Sequence, residues 1–398
     1  MRVPLLDLSE QYRLLAEPIR QEIDETLRTQ NFILGPKVAE FERALADYCG
    51  TRHAIGVSSG TDALLAVLMA LDVGPGDAVV TTAYTFFATA GCIARVGATP
   101  IFVDIDPATF NISPATIAGF LEGRCRKNGA NQLLDSAGRI VRGIVPVHLF
   151  GLSSEMDAIN EIADRHKLTV IEDAAQAIGA EYPGINGGRQ AGTMSLAGCF
   201  SFYPSKNLGA AGDAGAIICN DDELAERFRI FRQHGMEPRY FHRVIGGNFR
   251  LDAIQASILK IKLPHLNRWS AARRAVADVY REEFTASGLT NRLTLPAEPY
   301  RERGLMNHHI YHQYVIRAPR RDALQKHLTK RGIGSAIYYP LGLHEQKCFQ
   351  ELGYHAGDLP ETERAARETL ALPIYPELTR EMQREVVGAI AEFFGSDN

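Results

Sequence analysis

The sequence has no long hydrophobic run. None of its windows is apolar and charge-free enough to cross a bilayer, and the N-terminus, Met1-Arg2-Val3-Pro4-Leu5-Leu6-Asp7, turns acidic and amphipathic at once in place of an apolar signal region. A membrane-spanning or exported protein is not expected, and the cytoplasm is the expected location. Charge of one sign is also missing. The 43 Lys and Arg residues nearly balance 47 Asp and Glu, and no basic run could track a nucleic-acid backbone. Cysteine is sparse and scattered: Cys49, Cys92, Cys125, Cys199, Cys219 and Cys348 form no close pair, which argues against a zinc site and a disulfide framework and leaves them as small buried hydrophobes. There is no internal repeat and no low-complexity tract. What remains is a chain of 398 residues, 45% hydrophobic and 23% charged, large enough for two domains of ordinary globular composition.

Helical periodicity marks Gln11 to Leu27, with Pro18 as an interruption, and Pro36 to Tyr48. From His53 onward, short apolar runs alternate with helical segments. Strands are predicted at Ala54 to Val57, Ala78 to Thr82, Pro100 to Val103, Ile140 to Val147, Leu168 to Glu172 and Ala197 to Phe202. Their continuous, non-alternating apolar character, with helices between them, indicates an α/β domain whose mostly parallel sheet is covered by helices on both faces. Arg124 to Arg139 reads as a polar insertion or hairpin between a helix and a strand. Leu251 to Leu263 opens a long helical region that Pro264 interrupts. After about Leu293 the texture changes to shorter elements, including an expected strand at Tyr311 to Ile316. The expected division is a large domain over residues 1–250 and a smaller C-terminal α+β domain over 251–398.

Chemistry concentrates in a few segments. Ser201-Phe202-Tyr203-Pro204-Ser205-Lys206, followed by a loop of small residues from Asn207 to Gly215, embeds a lysine among apolar and hydroxyl side chains. Upstream, Asp173 closes the apolar run Leu168 to Glu172, at the strand end where parallel sheets open into a ligand crevice. A lysine that can form a Schiff base, and a carboxylate that can hold a pyridine nitrogen protonated, are the two groups pyridoxal phosphate requires. Asp173 can equally cap the next helix. Gln176, one turn on, can reach the cofactor's phenolic oxygen or stand as a surface amide. Ser58-Ser59-Gly60-Thr61-Asp62 joins a strand to a helix, so free backbone N–H groups and the helix dipole converge on an anion site, although the same residues also make an ordinary cap. Tyr84, Phe86 and Phe87 are candidates to stack on a ring. Asn248 and Arg250 in a glycine-loosened turn could meet a phosphate or carboxylate, and Tyr338, Tyr339 and His344 could meet sugar hydroxyls. His308, His309 and His312 have no close acid or cysteine companion, so no metal site is expected.

Taken in order, these segments resemble the DegT/DnrJ-type sugar aminotransferases, which are fold type I pyridoxal phosphate enzymes. The resemblance runs nearly end to end, from Phe32-Ile33-Leu34-Gly35-Pro36 through the segments around Gly60, His148, Asp173, Lys206 and Asn248 to Tyr338-Tyr339-Pro340 and His344. It implies that Lys206 carries the cofactor as a Schiff base and shuttles the proton, Asp173 pairs with the pyridine nitrogen and Gln176 contacts the phenolic oxygen. Gly60, Thr61 and Ser201 are implied to hold the phosphate, with Phe86 stacked on the ring. Asn248 is implied to reach the cofactor phosphate of a neighbouring subunit, which makes the active site the product of a homodimer. Arg250, Tyr338 and His344 are expected around the substrate. The implied reaction moves an amino group, with glutamate as expected donor, to a nucleotide-linked keto-sugar. A keto-cyclitol is an alternative acceptor. A deoxysugar dehydratase, which would carry histidine in place of Lys206, and a non-catalytic sensor are the further alternatives. Gly342 and the Arg124 to Arg139 insertion depart from the family pattern, which bears on the substrate pocket and not on the chemistry.

Overall fold

The computed structural model describes residues 2–185 and 187–395. The chain opens with α1 (Ser9–Thr29) and α2 (Pro36–Cys49). Pro18 sits inside α1, and α2 starts on Pro36, where a missing N–H costs no helical bond, and stops at Gly50 in the left-handed region. Strand β1 (His53–Val57) leads into α3 (Gly60–Ala70), then β2 (Asp77–Thr82), α4 (Ala88–Arg95), β3 (Thr99–Val103) and α5 (Pro114–Arg124). The polar insertion is a short hairpin, β4 (Arg126–Lys127) with β5 (Leu133–Leu134), which pairs onto the edge of β6 (Ile140–Val145). Next come α6 (Met156–His166), β7 (Thr169–Asp173), the small ribbon β8 (Glu181–Tyr182) and β9 (Arg189–Gln190), β10 (Ala197–Ser201), β11 (Gly215–Cys219) and α7 (Asp222–Arg232).

The main sheet runs β1-β11-β10-β7-β6-β2-β3. Pairings among β3, β2, β6, β7 and β10 are parallel, as continuous apolar strands joined by helices require, whereas β11 runs antiparallel to both β10 and β1. Two reversals leave β1 pointing the same way as β10. The carboxyl ends of β1, β2, β6, β7 and β10 therefore open on one edge, which is the crevice where parallel sheets bind ligands.

Helix α8 (Ala253–Lys262) and α9 (Leu266–Ala286) flank a single 3-10 turn at Leu263–His265, where Pro264 was expected to interrupt. Leu251, Ala256 and Leu259 pack with Phe41, Phe200 and Phe202 in the core beside the large sheet. The second core starts later in the chain, with Val276, Tyr280 and Phe284 of α9. It is built around the strand pair β12 (Tyr314–Arg317) and β13 (Thr369–Leu372), with α10 (Arg321–Lys330), α11 (Pro360–Glu368) between the two strands and α12 (Arg380–Gly395) after them. Val3 joins this core and bridges to Ile333, so the N-terminus is tied to the C-terminal body. Strand β12 begins at Tyr314, three residues after the expected Tyr311. Tyr311 has φ of +44°, its ring stacked on His309 at 3.8 Å, and cannot extend a strand.

Candidate active site

A cavity of about 760 Å³ lies where the carboxyl ends of the strands meet the second core. At one end Ser59 caps α3, its hydroxyl accepting from Asp62 N at 3.0 Å, and the cap leaves the first backbone N–H groups of the helix free. Val57, Gly215 and Ser201 occupy one row across three strands, so β11 packs hard against this turn. A Cβ on Gly60 would lie 2.7 Å from Ser201 Cβ, and one on Gly215 would lie 2.4 Å from the Ser59 carbonyl carbon. Only hydrogen fits at both positions, which lets Gly60, Thr61 and Ser201 line one compact anion cradle.

Asp173 ends β7 in the middle of the cavity and is 4% exposed. Thr89 Oγ1 donates to its Oδ2 at 2.7 Å, and Ala175 N donates to Oδ1 at 3.1 Å. Burial raises the carboxyl pKa above its usual value, opposed by those two hydrogen bonds and by the charge of Lys206. A protonated pyridine nitrogen is the partner that such a desolvated carboxylate lacks. Lys206, on the loop after β10, is half-buried on the same wall. Burial pushes its ammonium down to about 8, with only the charge of Asp173 pulling the other way. The free-amine form that an imine requires is thus within reach near neutral pH.

Gln176 is fixed by its oxygen, which accepts from Phe150 N at 2.8 Å, while its Nε2 donates to the Tyr339 hydroxyl at 3.1 Å. Phe86 is 58% exposed on the cavity wall and tilts 43° against Tyr339 at 6.4 Å. Phe87 turns instead onto Phe349, and Tyr84 is fully buried, bonding through its hydroxyl to the Tyr338 carbonyl at 2.7 Å and to Thr369 at 2.6 Å. Phe86 and Phe87 both line the cavity, and Phe86 is the more exposed and is not stacked on a neighbouring ring. Tyr338 also lines the cavity, on a strap that Tyr84 ties down.

Three expected residues lie elsewhere. His344 is buried behind the strap, with Glu363 Oε1 at 3.5 Å and the Tyr354 ring at 6.0 Å. Leu343 faces the cavity, its N–H bonded to Ala83 O at 2.7 Å, and the next side chain along points away from it. Gly342 makes the space: a Cβ there would lie 2.5 Å from the His344 ring. The structure thus does not bring His344 to the wall of this cavity. Asn248 is exposed and pairs with Gln233, outside the cavity of its own chain. Arg250 bridges to Val57 alongside β1 and is likewise absent from the wall. His148 is enclosed, paired with Glu172 at 2.8 Å and accepting from Ser154 N at 3.0 Å, beneath the site and not in it.

Sequence reasoning overlooked Thr89, which holds Asp173 from α4, and the place of His312 on the cavity wall, where its Nδ1 lies 3.2 Å from the Asn207 amide oxygen. Both contacts join residues far apart in the chain, 84 and 105 positions, and no local pattern announces them. The residues present fit pyridoxal phosphate: an anion cradle closed to any Cβ, a desolvated acid, a lysine near neutrality and an open aromatic face share one cavity.

Residues 14–391 match the model of the DegT/DnrJ/EryC1/StrS aminotransferase family. The chain is 48% identical over 394 residues to the pleiotropic regulatory protein of Geobacillus stearothermophilus, covering 99% of both chains. It is 40% identical over 389 residues to a UDP-N-acetyl-3-dehydro-alpha-D-glucosamine 3-aminotransferase of Acidithiobacillus ferrooxidans, covering 98% of this chain and 97% of the relative. Among solved structures, S. venezuelae DesV in complex with a ketimine intermediate superposes with a TM-score of 0.88 at 37% identity, covering 98% of each chain.

Proposed function

The chain belongs to the DegT/DnrJ/EryC1/StrS aminotransferase family, and from that membership we infer that it uses pyridoxal phosphate to move an amino group, with glutamate as donor, onto a nucleotide-linked keto-sugar. The observation that carries this reading is the placement of Lys206, with its pKa lowered to about 8, in one cavity with the desolvated Asp173. When bound, pyridoxal phosphate supplies the electron sink for the transfer.

The chain's own residues do the rest. The free backbone N–H groups at the start of α3, with Thr61 and Ser201, take the phosphate. Asp173, held by Thr89, keeps a proton on the pyridine nitrogen. Gln176 offers its remaining amide proton toward the phenolic oxygen, and Phe86 covers one ring face. With the cofactor bound, Lys206 Nζ would hold it and, once freed, would be the base on the cavity wall able to take up and return the proton moved in the transfer. Tyr338 and the strap from Pro340 to Gln346 supply the wall nearest the acceptor.

Asn248 stands outside its own cavity and completes the phosphate site of a second copy, so the working unit is a homodimer. The second half-reaction tests the assignment: protein loaded with pyridoxamine phosphate is offered a panel of nucleotide keto-sugars and keto-cyclitols, and the acceptor is the compound that restores the lysine-linked absorbance. Lys206→Ala protein is expected to lose both half-reactions, and normal rates in that variant sink the assignment. The name of the Geobacillus relative favours one second reading, a regulator that binds without turnover. A glutamate-induced shift of the cofactor absorbance supports the enzyme, and indifference to every amino donor supports the regulator.

A further inference from the structure

The loop that carries Lys206 is held from outside the cavity by a second lysine. After β10 the chain turns tightly: Lys206 N bonds to Tyr203 O at 2.8 Å and Ala210 N bonds to Phe202 O at 2.7 Å. A Cβ on Gly209 would lie 2.3 Å from Pro204 O, so the turn closes on itself at that residue. Helix α8 grips its far side. Gln255 Oε1 accepts from Ala211 N at 2.9 Å, and Lys262 Nζ donates to the Gly209 carbonyl.

Lys262 is unusual for a cation. It is half-buried, and no carboxylate of the described residues forms an ion pair with it. Its other companion is the ring of Trp269, 5.8 Å away, the one tryptophan of the chain. Burial alone drives its pKa to about 8. An uncompensated ammonium in such a place is costly, and the bond to Gly209 is what it obtains in return.

We propose that Lys262 is a positioning residue for Lys206, clamping the Gly209 carbonyl so that the loop presents the Lys206 amine to the cofactor carbon. The inference rests on the reading that Lys206 carries the cofactor. Because Lys262 does not line the cavity, its effect belongs to the geometry of attack, where a displacement near 1 Å can cost about 100-fold.

The test compares Lys262→Met and Lys262→Arg with Lys260→Met, which removes a neighbouring lysine paired to Glu40 on the same helix. Each holoenzyme is reduced with borohydride, and the fraction of Lys206 bound to cofactor is read by peptide mass spectrometry against cofactor concentration. Steady-state kcat and KM for glutamate are measured alongside. The expected result for Lys262→Met is roughly a 10- to 100-fold lower kcat with KM little changed, and half-maximal trapping at higher cofactor concentration. Arginine should largely restore both, and Lys260→Met should match the unaltered protein. If Lys262→Met does not fold, Lys262→Gln, which keeps a neutral donor, is read in the same way. Trapping and kcat in Lys262→Met within twofold of the unaltered protein overturn the proposal. So does a loss that arginine fails to relieve and that only follows a lowered melting temperature. Label on a lysine other than Lys206 in the unaltered protein instead overturns the assignment of Lys206 itself.

Discussion

Lys206 and Asp173 set each other's protonation, and the direction of that coupling is measurable. Burial lowers Lys206 from the ordinary 10.5 to about 8, and the carboxylate of Asp173 is the one influence raising it. Asp173→Asn removes that influence, so in cofactor-free protein the lysine is expected to titrate below 8 and to react faster with an amine-directed acylating reagent at neutral pH. Peptide-level modification rates across pH check this, and an unchanged or higher midpoint contradicts it. The same shift links to stability. An unfolded chain keeps the lysine proton up to about 10.5 while the folded one releases it near 8, so the unfolded state binds more protons in that window. The cost of burying this lysine is present in full below 8 and is relieved as pH climbs from 8 toward 10.5. Asp173→Asn moves the lower edge of the window down.

At the scale of elements, Glu172 shows how one strand end organises the floor of the site. It is fully buried and takes four donors: Gly192 N and Met194 N at 2.7 Å each, Ser195 Oγ at 2.9 Å and His148 Nε2 at 2.8 Å. It thereby ties the 190–196 turn and the turn after β6 to β7, directly beneath Asp173. Glu172→Ala leaves those donors and His148 without a partner and is expected to cost about 3–5 kcal/mol, read as a lower urea midpoint, whereas a loss below about 1 kcal/mol would show that water replaces the carboxylate. This strand was legible in the sequence because a continuous apolar run that stops at two acids matches a buried parallel strand emerging at the edge of its sheet. Strand β11 was not: Gly215-Ala216-Ile217-Ile218-Cys219 follows directly on a loop of small residues, and its direction is set by its neighbours β1 and β10. The phosphate cradle was half legible for the same reason. Ser59 and Gly60 announce a cap before a helix, but the demand for glycine comes from Ser201, some 140 residues away in sequence. Which residue of the Leu343–Glu345 turn lines the cavity was not legible, because in a 3-10 turn neighbouring side chains point to different faces, and only the contact of Leu343 with Ala83 decides which one faces inward.

For the whole molecule, the question is which parts of the site a single chain supplies. Lys206, Asp173, Gln176, Gly60, Thr61, Ser201 and Phe86 converge in one cavity, yet among the described residues Lys206 is the only lysine or arginine on its wall. On the proposed reading, a cofactor phosphate and a nucleotide diphosphate would bring several negative charges to that cavity. The helix dipole and backbone N–H groups of α3 answer part of this charge. Asn248 and Arg250 sit on a turn beside the end of β1 and do not line the cavity of their own chain. That turn follows an exposed stretch in which Tyr240 and Phe241 are 74% and 68% exposed. Apolar side chains so open to water next to polar groups suited to phosphate support the proposed pairing with a second copy. The proposed homodimer predicts complementation. Asn248→Ala and Lys206→Ala homodimers should each be impaired, the first in cofactor retention and the second in proton transfer. When the two proteins are mixed, unfolded and refolded together, hybrid dimers hold one site with both native residues, and activity should reappear in the mixture. Activity no higher than the sum of the separately refolded proteins would place Asn248 outside the neighbouring site and leave each chain to bind its phosphate alone.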